Sequence, residues 1–532
     1  MISPSIAITG LFVILSFIGF SQDPETRLNI QKIASVLQII DYAYVDSVEL
    51  GELVDNTIVT TLKELDPHST YLSKEELERT KERLEGSFDG IGISFQIYHD
   101  TILVISAISG GPSEKLGIMS GDKIIKIDGK KAYGEEIDNK FVMDHLRGKK
   151  GTTVDVSIYR KGNPELIDFT IVRDKIPVTS IDAHFMITPD IGFIKLDRFQ
   201  KTTETEFHES LRSLKAQGMD KLILDLRGNA GGFLGSAVDL ADEFLSENKL
   251  IVYTKGLKSP RDDYKSTSIG LFEEGDLIIL IDEGSASASE IVAGAVQDWD
   301  RGLIIGRRSF GKGLVQRPYP LVDGSMIRLT TARYYTPSGR SIQRAYNEGK
   351  EAYYKDLANR WERGEMVSVD SIQLPDSLKY LTNNQRTVYG GGGIMPDIFI
   401  PYDSTWISDY YVDLRKKGIL NKFTLEYVDN NREELIEKYP DFRTYKENFV
   451  PDDDFMQLFI DFGEEEGVVF VDEDYQASKK VLTNQVKAWI ARNLWDINES
   501  YQVYSEIDET LQEAVNILED GSKFVDMKIN GD

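Results

Sequence analysis

From residue 25 to 85 apolar residues recur at every third or fourth position, as in LNIQKIASVLQII and LGELVDNTIVTTLKEL, which predicts amphipathic helices broken at DPHS, residues 66–69. From Gly86 the period shortens to two. GIGISFQIY, TILVISAI, DKIIKIDG, TTVDVSIYR and LIDFTIVRD read as short strands between turn glycines, a β-rich module over residues 86–175. After Pro177 near-continuous apolar strands alternate with helical stretches: IGFIKLDRF, a helix from Thr203 to Gln217, KLILDLRGNAGG, a helix from Leu234 to Leu245, LIVYTKG, then DLIILIDE and its helix. Strands apolar on both sides imply a covered sheet, so residues 176–400 are expected to form an α/β core. Residues 401–532 read as an acidic, aromatic extension with a last helical stretch over 475–520. The expected fold is multidomain α+β: an α/β core with a covered sheet, an inserted β-rich module at 86–175, and helical segments at 25–85 and at the C-terminus.

A chain of 532 residues exceeds what one hydrophobic core supports, in keeping with several units. The net charge of -27, with no basic run, disfavours a nucleic-acid groove, which needs concentrated positive charge. With no cysteine there is no disulfide framework, no thiolate chemistry and no lipid-modified cysteine anchor. The acidic runs Asp452-Asp453-Asp454 and Glu464-Glu465-Glu466 lack the spacing and glycine of a calcium loop and read as solvated surface. At the N-terminus, the apolar stretch Ile6 to Phe20, followed by Gly19 and Ser21 at signal-peptidase spacing, predicts a secretory signal over residues 1–21 and an exported, periplasmic protein. The competing readings are a cytoplasmic chain that merely starts hydrophobic and an uncleaved anchor, although the stretch is shorter than the roughly 20 apolar residues a spanning helix needs.

Two segments concentrate the candidate chemistry: DLIILIDEGSASASEIVAGAVQDWD (276–300) and LIIGRRSFGKGLVQRPYP (303–320). A serine at a strand-to-helix junction meets N–H groups able to stabilise an oxyanion, but its hydroxyl needs a base. Ser285, Ser287 and Ser289 compete for that role, and a cluster of helix N-caps explains the same residues. Lys312 is the candidate base: glycines and apolar side chains in SFGKG would desolvate its amine and favour the neutral form. The five histidines, His68, His99, His145, His184 and His208, all lie upstream, and none has a catalytic-looking context. His68, following a proline and preceding a helix start at Ser73, reads as a turn or capping residue. GRRSFGKG also nearly matches a phosphate-binding loop, but Gly313 replaces the magnesium-binding hydroxyl and no helix pattern follows.

The LGIMSGDKIIKIDGKKA stretch resembles the PDZ domain, in which a peptide lies along a strand edge and its terminal carboxylate accepts N–H bonds from a glycine-containing loop. That loop would be Gly90-Ile91-Gly92-Ile93. In order, the helical segment, the PDZ-like module, DLRGNAGG, GSASASEIVAGA, FGKGLVQ, YYTPSGRSIQ and GGGIMPD resemble the carboxyl-terminal processing proteases, also called tail-specific proteases, over residues 30–400. The resemblance implies Ser287 as nucleophile, Lys312 as base and Gln316 as the residue orienting the lysine amine. It implies an oxyanion site at the Ala288 N–H and at a glycine of DLRGNAGG, Gly231 or Gly232, with Arg227 and Asn229 holding that loop. Arg147 of LRGKKGT matches an arginine that couples the PDZ module to the site, and an ordinary surface arginine explains it equally well. The resulting expectation is a serine endopeptidase that takes proteins with free C-termini, acts through an acyl-enzyme and uses no metal or organic cofactor. Peripheral membrane association and homo-oligomerisation are compatible with this reading. A catalytically silent PDZ scaffold is its rival, and residues 401–532 fit a lid, an oligomerisation surface or an adaptor platform.

Overall fold

The computed structural model describes residues 23–268 and 270–529, so the expected signal over 1–21 lies outside the described residues. The centre is a six-stranded sheet in the order Ile181–Met186, Ile191–Leu196, Lys221–Asp225, Leu277–Ile281, Leu303–Gly306, Ile398–Phe399. The first pair is antiparallel and each later pair parallel. Because successive side chains of a strand point to opposite faces, Leu222 and Leu224 join Ile194, Ile279 and Ile281 on one side, packed on Phe207, Leu211, Leu240 and Ile291 of the crossover helices. Ile223, Phe193, Ile278 and Leu280 face the other way and meet Leu511, Ala514, Leu518 and Phe524. The second cover therefore comes from the end of the chain, helices Glu509–Asp520 and Ser522–Ile529. Sequence pattern indicated a sheet covered on both sides but not what covers it, since the covering residues stand more than 200 positions from Leu303–Gly306 and from every strand before it.

A second, antiparallel sheet carries the lysine loop. Strand Met326–Tyr335 pairs with Leu314–Pro320, with Leu250–Lys255 and with Thr70–Leu72 of the N-terminal segment. The turn at residues 66–69 is thereby held against the core. The PDZ-like module is a sheet ordered Ile93–Tyr98, Thr101–Ala107, Lys123–Ile127, Thr153–Tyr159, Ile167–Val172, with helices Pro112–Leu116 and Asn139–Leu146. Its entering strand Ser87–Gly90 and leaving strand Asp174–Pro177 pair antiparallel, which is how a module can be inserted without displacing its host.

Beyond Ser408 the chain is helical, and the last stretch, expected as one helical region over 475–520, is divided into Asp472–Leu494, Ile497–Tyr504 and Glu509–Asp520. Asp441, Asp452 and Asp508 cap helices by accepting backbone N–H groups. The run Asp452-Asp453-Asp454, expected as solvated surface, thus also starts helix Asp453–Glu465, where acidic side chains complement the positive end of the helix dipole. The helical unit touches the PDZ-like module too: Lys123 pairs with Asp429 at 3.5 Å and Arg432 donates to Ser120 Oγ at 2.8 Å. Among the described residues no helix is long and apolar enough to cross a membrane.

Arg340 is fully buried, ion-paired with Asp298 at 2.8 Å and hydrogen-bonded to Gln297 Oε1 and the Tyr389 carbonyl. Removing one partner of a buried pair strands the other charge. Arg340→Ala is expected to lower the stability of the core by about 3–5 kcal/mol, read from urea unfolding of the variant against the parent.

Candidate active site

Strand Leu277–Ile281 ends at a turn fixed by Asp282, whose Oδ1 accepts the N–H groups of Gly228, Gly284 and Ser285. The chain then rises through Ser285, Ala286 and Ser287 into helix Ala288–Asp298. Of the three competing serines two are committed. Ser285 Oγ donates to the Leu226 carbonyl at 2.8 Å and Ser289 Oγ to the Asn229 carbonyl at 2.9 Å, both fully buried. Ser287 is partly exposed and stands at the helix N-cap with φ 56° and ψ -109°, a backbone conformation that a non-glycine residue rarely adopts. Strained backbone of this kind clusters at functional sites.

Glu290, three residues on, makes the site. It is wholly buried, and Oε2 accepts the backbone N–H groups of both Ser287 (2.8 Å) and Lys312 (2.9 Å), while Oε1 accepts Gly311 N–H (2.7 Å) and Ser309 Oγ (2.5 Å). One carboxylate therefore ties the serine turn to the lysine loop. Burial pushes its carboxyl group up, and the four donors work against that shift. Tyr334 seals the other side, its hydroxyl lying 3.1 Å from the Ser287 carbonyl and in hydrogen-bond contact with that of Lys312. Sequence reading passed over Glu290, although Ser287-x-x-Glu290 has the spacing of a capping box.

The amine of Lys312 is pushed down to about 8, first by burial and then by the positive charge of Arg328, with Glu290 and Asp66 opposing. Gln316 sits opposite Thr330 in the antiparallel pair and its amide donates to Thr330 Oγ1 at 3.4 Å. That hydroxyl donates in turn to Asp66 Oδ1 at 3.1 Å, and Ser69 Oγ accepts Thr330 N–H at 3.1 Å. Asp66 also accepts the His68 and Ser69 N–H groups, each at 2.8 Å, so residues 66–69 form the turn the sequence indicates. The missed feature is where that turn goes: the His68 ring reaches Tyr353 at 2.9 Å, and burial together with Lys312 pushes it down to about 3, keeping it neutral. A separation of more than 240 residues hides this neighbour of Lys312 from any local pattern.

Gly231 packs directly on the serine turn. A methyl group built on it would stand 2.8 Å from Ser287 Cβ and 2.9 Å from Ala288 N, and one on Gly232 would strike the Phe199 carbonyl at 1.9 Å. Both are in the positive-φ region glycine tolerates, at 96° and 157°. The Gly231 N–H donates to Asn229 Oδ1 at 2.8 Å, whereas the N–H groups of Gly232 and Ala288 have no acceptor among the described residues. Arg227 and Asn229 hold this loop, Asn229 through the Leu196 carbonyl and Arg227 through Asp225 and Asp508. Phosphate binding at 306–313 is disfavoured by the same bonds, because the N–H groups of Phe310, Gly311, Lys312 and Gly313 are already taken by Ser285, Glu290 and Gln343, and a strand follows.

Gly90, Ile91, Gly92 and Ile93 lie in the PDZ-like module, apart from the serine turn. The Ile91 carbonyl accepts Ser113 N–H and Oγ, and the Gly92 carbonyl accepts Ile108 N–H, leaving the two residues' own N–H groups without an acceptor among the described residues. Strand Ile93–Tyr98 follows at the sheet edge, its Ile93, Phe95 and Ile97 packed with Phe141 of helix Asn139–Leu146 around one apolar cluster. Arg147 pairs with Glu82 at 2.5 Å and its guanidinium lies 4.3 Å over the Phe88 ring, joining the module to helix Lys74–Glu85.

A model of peptidase family S41 matches residues 190–349 and one of the PDZ domain residues 90–171. The carboxy-terminal-processing protease of Bartonella bacilliformis is 37% identical over 347 residues, covering 63% of this chain and 79% of that protein. The chain belongs to peptidase family S41. A probable CtpA-like serine protease of Staphylococcus aureus strain N315 is 34% identical over 342 residues, 63% of this chain and 68% of that protein. A solved photosystem II D1 C-terminal processing protease is 28% identical, covering 60% of this chain and 91% of its own, with a TM-score of 0.33. The S41 relatives make this chain a serine-type peptidase carrying a PDZ domain, with the mixed α/β architecture expected from its sequence. Residues 410–496 match a model of a family of unknown function.

Because Glu290 faces four donors, Glu290→Gln turns two of its acceptor contacts into donor–donor contacts. The variant is expected to melt several degrees lower and to lose at least tenfold in peptide hydrolysis, as the serine turn and lysine loop separate; calorimetry and a fluorogenic peptide assay check both.

Proposed function

We propose that this S41 peptidase is an exported endopeptidase that captures protein C-terminal tails with its PDZ domain and cleaves the chain upstream with a Ser287/Lys312 dyad. The observation that carries the reading is the shared Oε2 atom of Glu290, which brings the backbones of Ser287 and Lys312 together while Ser285 and Ser289 spend their hydroxyls on carbonyls. A lysine lowered to about 8 is substantially neutral just above physiological pH and can accept a proton.

In the first step the Ser287 Oγ–H bond breaks, its proton passes to the neutral amine of Lys312, and Oγ attacks the carbonyl carbon of the scissile peptide. The developing oxyanion is held by the Ala288 N–H and by Gly232, because the Gly231 N–H is engaged with Asn229. The Lys312 ammonium returns its proton to the departing amine as the C–N bond breaks, leaving an ester on Ser287. Water, deprotonated by the same amine, then hydrolyses that ester and restores the serine. Gln316, through Thr330 and Asp66, steadies the strand that begins at Leu314 just beyond the lysine. In the PDZ domain the free N–H groups of Ile91 and Gly92 suit a terminal carboxylate, and the Ile93–Tyr98 edge suits strand addition by the residues before it. Export rests on the apolar stretch Ile6 to Phe20, and detection of the chain in the periplasmic fraction would test it.

Labelling by a fluorophosphonate probe is expected for the parent and absent from Ser287→Ala; an unlabelled, folded parent would favour a silent scaffold instead. Lys312→Ala is expected to lose more than about 10³-fold in rate, the scale of removing an essential base. Activity should rise with pH through about 8, since the neutral amine predominates above that value. Arg328→Gln removes a positive charge that disfavours the ammonium, so it should raise the Lys312 value and move this limb to higher pH. A pH–rate profile of the two proteins checks the sign, and an acid-ward displacement would contradict the assignment. For tail capture, amidating the C-terminus of a substrate should raise KM with little change in kcat.

A further inference from the structure

The loop that carries Gly231 and Gly232 is held from three sides. Asn229 is bound within the core, donating to the Leu196 carbonyl and accepting Gly231 N–H, while its own carbonyl accepts Ala286 N–H and Ser289 Oγ. Gly228 N–H goes to Asp282. The third hold reaches outside the S41 motifs. The Arg227 guanidinium sits between Asp225, which accepts from Nε and Nη2, and Asp508, whose two oxygens accept from Nη1 at 2.9 Å and Nη2 at 2.6 Å. Lys195 closes the set by donating to Asp225 at 3.2 Å and to the Arg227 carbonyl. Two cations thus meet two anions at one wall of a cavity of about 800 Å³ between the carboxyl ends of the core strands and the C-terminal helices.

Asp508 caps helix Glu509–Asp520, the same helix whose Leu511, Ala514 and Leu518 cover the central sheet. The position of its carboxylate is therefore set by core packing and not by a mobile tail. Arginine is suited to bridge two carboxylates because its planar fork presents parallel donors on two edges. We propose that Asp508 is a positioning residue for peptide hydrolysis: from the C-terminal helices it grips Arg227 and so fixes the turn that aims the Gly232 N–H at the developing oxyanion. The inference rests on the Ser287/Lys312 reading with Gly232 as a donor. It gives the C-terminal helical unit a part in the active site that none of a lid, an oligomerisation surface or an adaptor platform requires.

The test uses the full chain and a fluorogenic peptide, with kcat, KM and melting temperature measured together. Asp508→Asn keeps the helix cap, since Asn caps as well as Asp, but loses the charge and the two-oxygen grip. Its kcat is expected to fall about tenfold, a fraction of the 10²–10³ lost when an oxyanion donor itself is removed, with KM unchanged. Arg227→Lys keeps the charge but cannot bridge both carboxylates, so it should show the same loss, and the double variant should lose no more than either single one. Leu511→Ala loosens the same helix without touching Arg227 and should lower the melting temperature while leaving kcat alone. An unchanged kcat in Asp508→Asn, or an equal fall in Leu511→Ala, would overturn the proposal, because the pair would then only dock the helix. Ser287→Ala and Lys312→Ala run alongside: if either retains activity, the underlying dyad reading fails, whatever Asp508→Asn does.

Discussion

A buried carboxylate with four donors around it is the constraint on which the active site depends. Glu290 lies where desolvation opposes its charge, and what makes its burial tolerable is that Ser287, Ser309, Gly311 and Lys312 all donate to it. The dependence runs both ways. Without the carboxylate, the N–H groups of Ser287, Gly311 and Lys312 would lose their acceptor, and the joining of the serine turn to the lysine loop would be left to the Tyr334 hydroxyl and the bond from Phe310 N–H to the Ser285 carbonyl. Holding Ser287 at φ 56° is a local cost that such a clamp can offset.

Around that clamp the fold brings in distant pieces of chain, each to one job. The N-terminal turn at 66–69 braces the strand pair behind Lys312 through Asp66 and Thr330 and places neutral His68 against Tyr353. The C-terminal helices cover the second face of the central sheet and reach Arg227. The same helical unit touches the PDZ domain through Asp429 and Arg432. The PDZ domain and the core that carries the serine turn are thus separate modules that share a structural neighbour.

The strand and helix pattern of the core was legible because its strands are apolar on both sides and its helices repeat at three and four residues; with it came the covered sheet and the inserted β-rich module. The site was legible as a short list, and contacts shortened it further. Ser285, Ser287 and Ser289 look alike in sequence, and only the destinations of their hydroxyls separate them. Gly231 and Gly232 likewise differ by one hydrogen bond, to Asn229. Glu290 left a local signal in its capping-box spacing. Asp66, His68 and Asp508 left none, since each meets its partner, Thr330, Tyr353 and Arg227 in turn, across more than 200 residues, and a polar residue in a turn or at a helix start looks complete without a tertiary partner.

That division has a physical cause. Periodicity reports burial, which averages over many residues and survives local exceptions, whereas a catalytic arrangement depends on single hydrogen bonds whose partners are set by the tertiary path. The lysine shows the consequence. Glycines and apolar neighbours suggested desolvation, and burial is indeed the largest influence on its amine, but Arg328 lies on a different strand and pushes in the same direction. Desolvation alone would leave Lys312 sensitive to any water that entered with substrate. The positive charge of Arg328 disfavours the ammonium by a second route, so the strand Met326–Tyr335 shares with burial in lowering the amine.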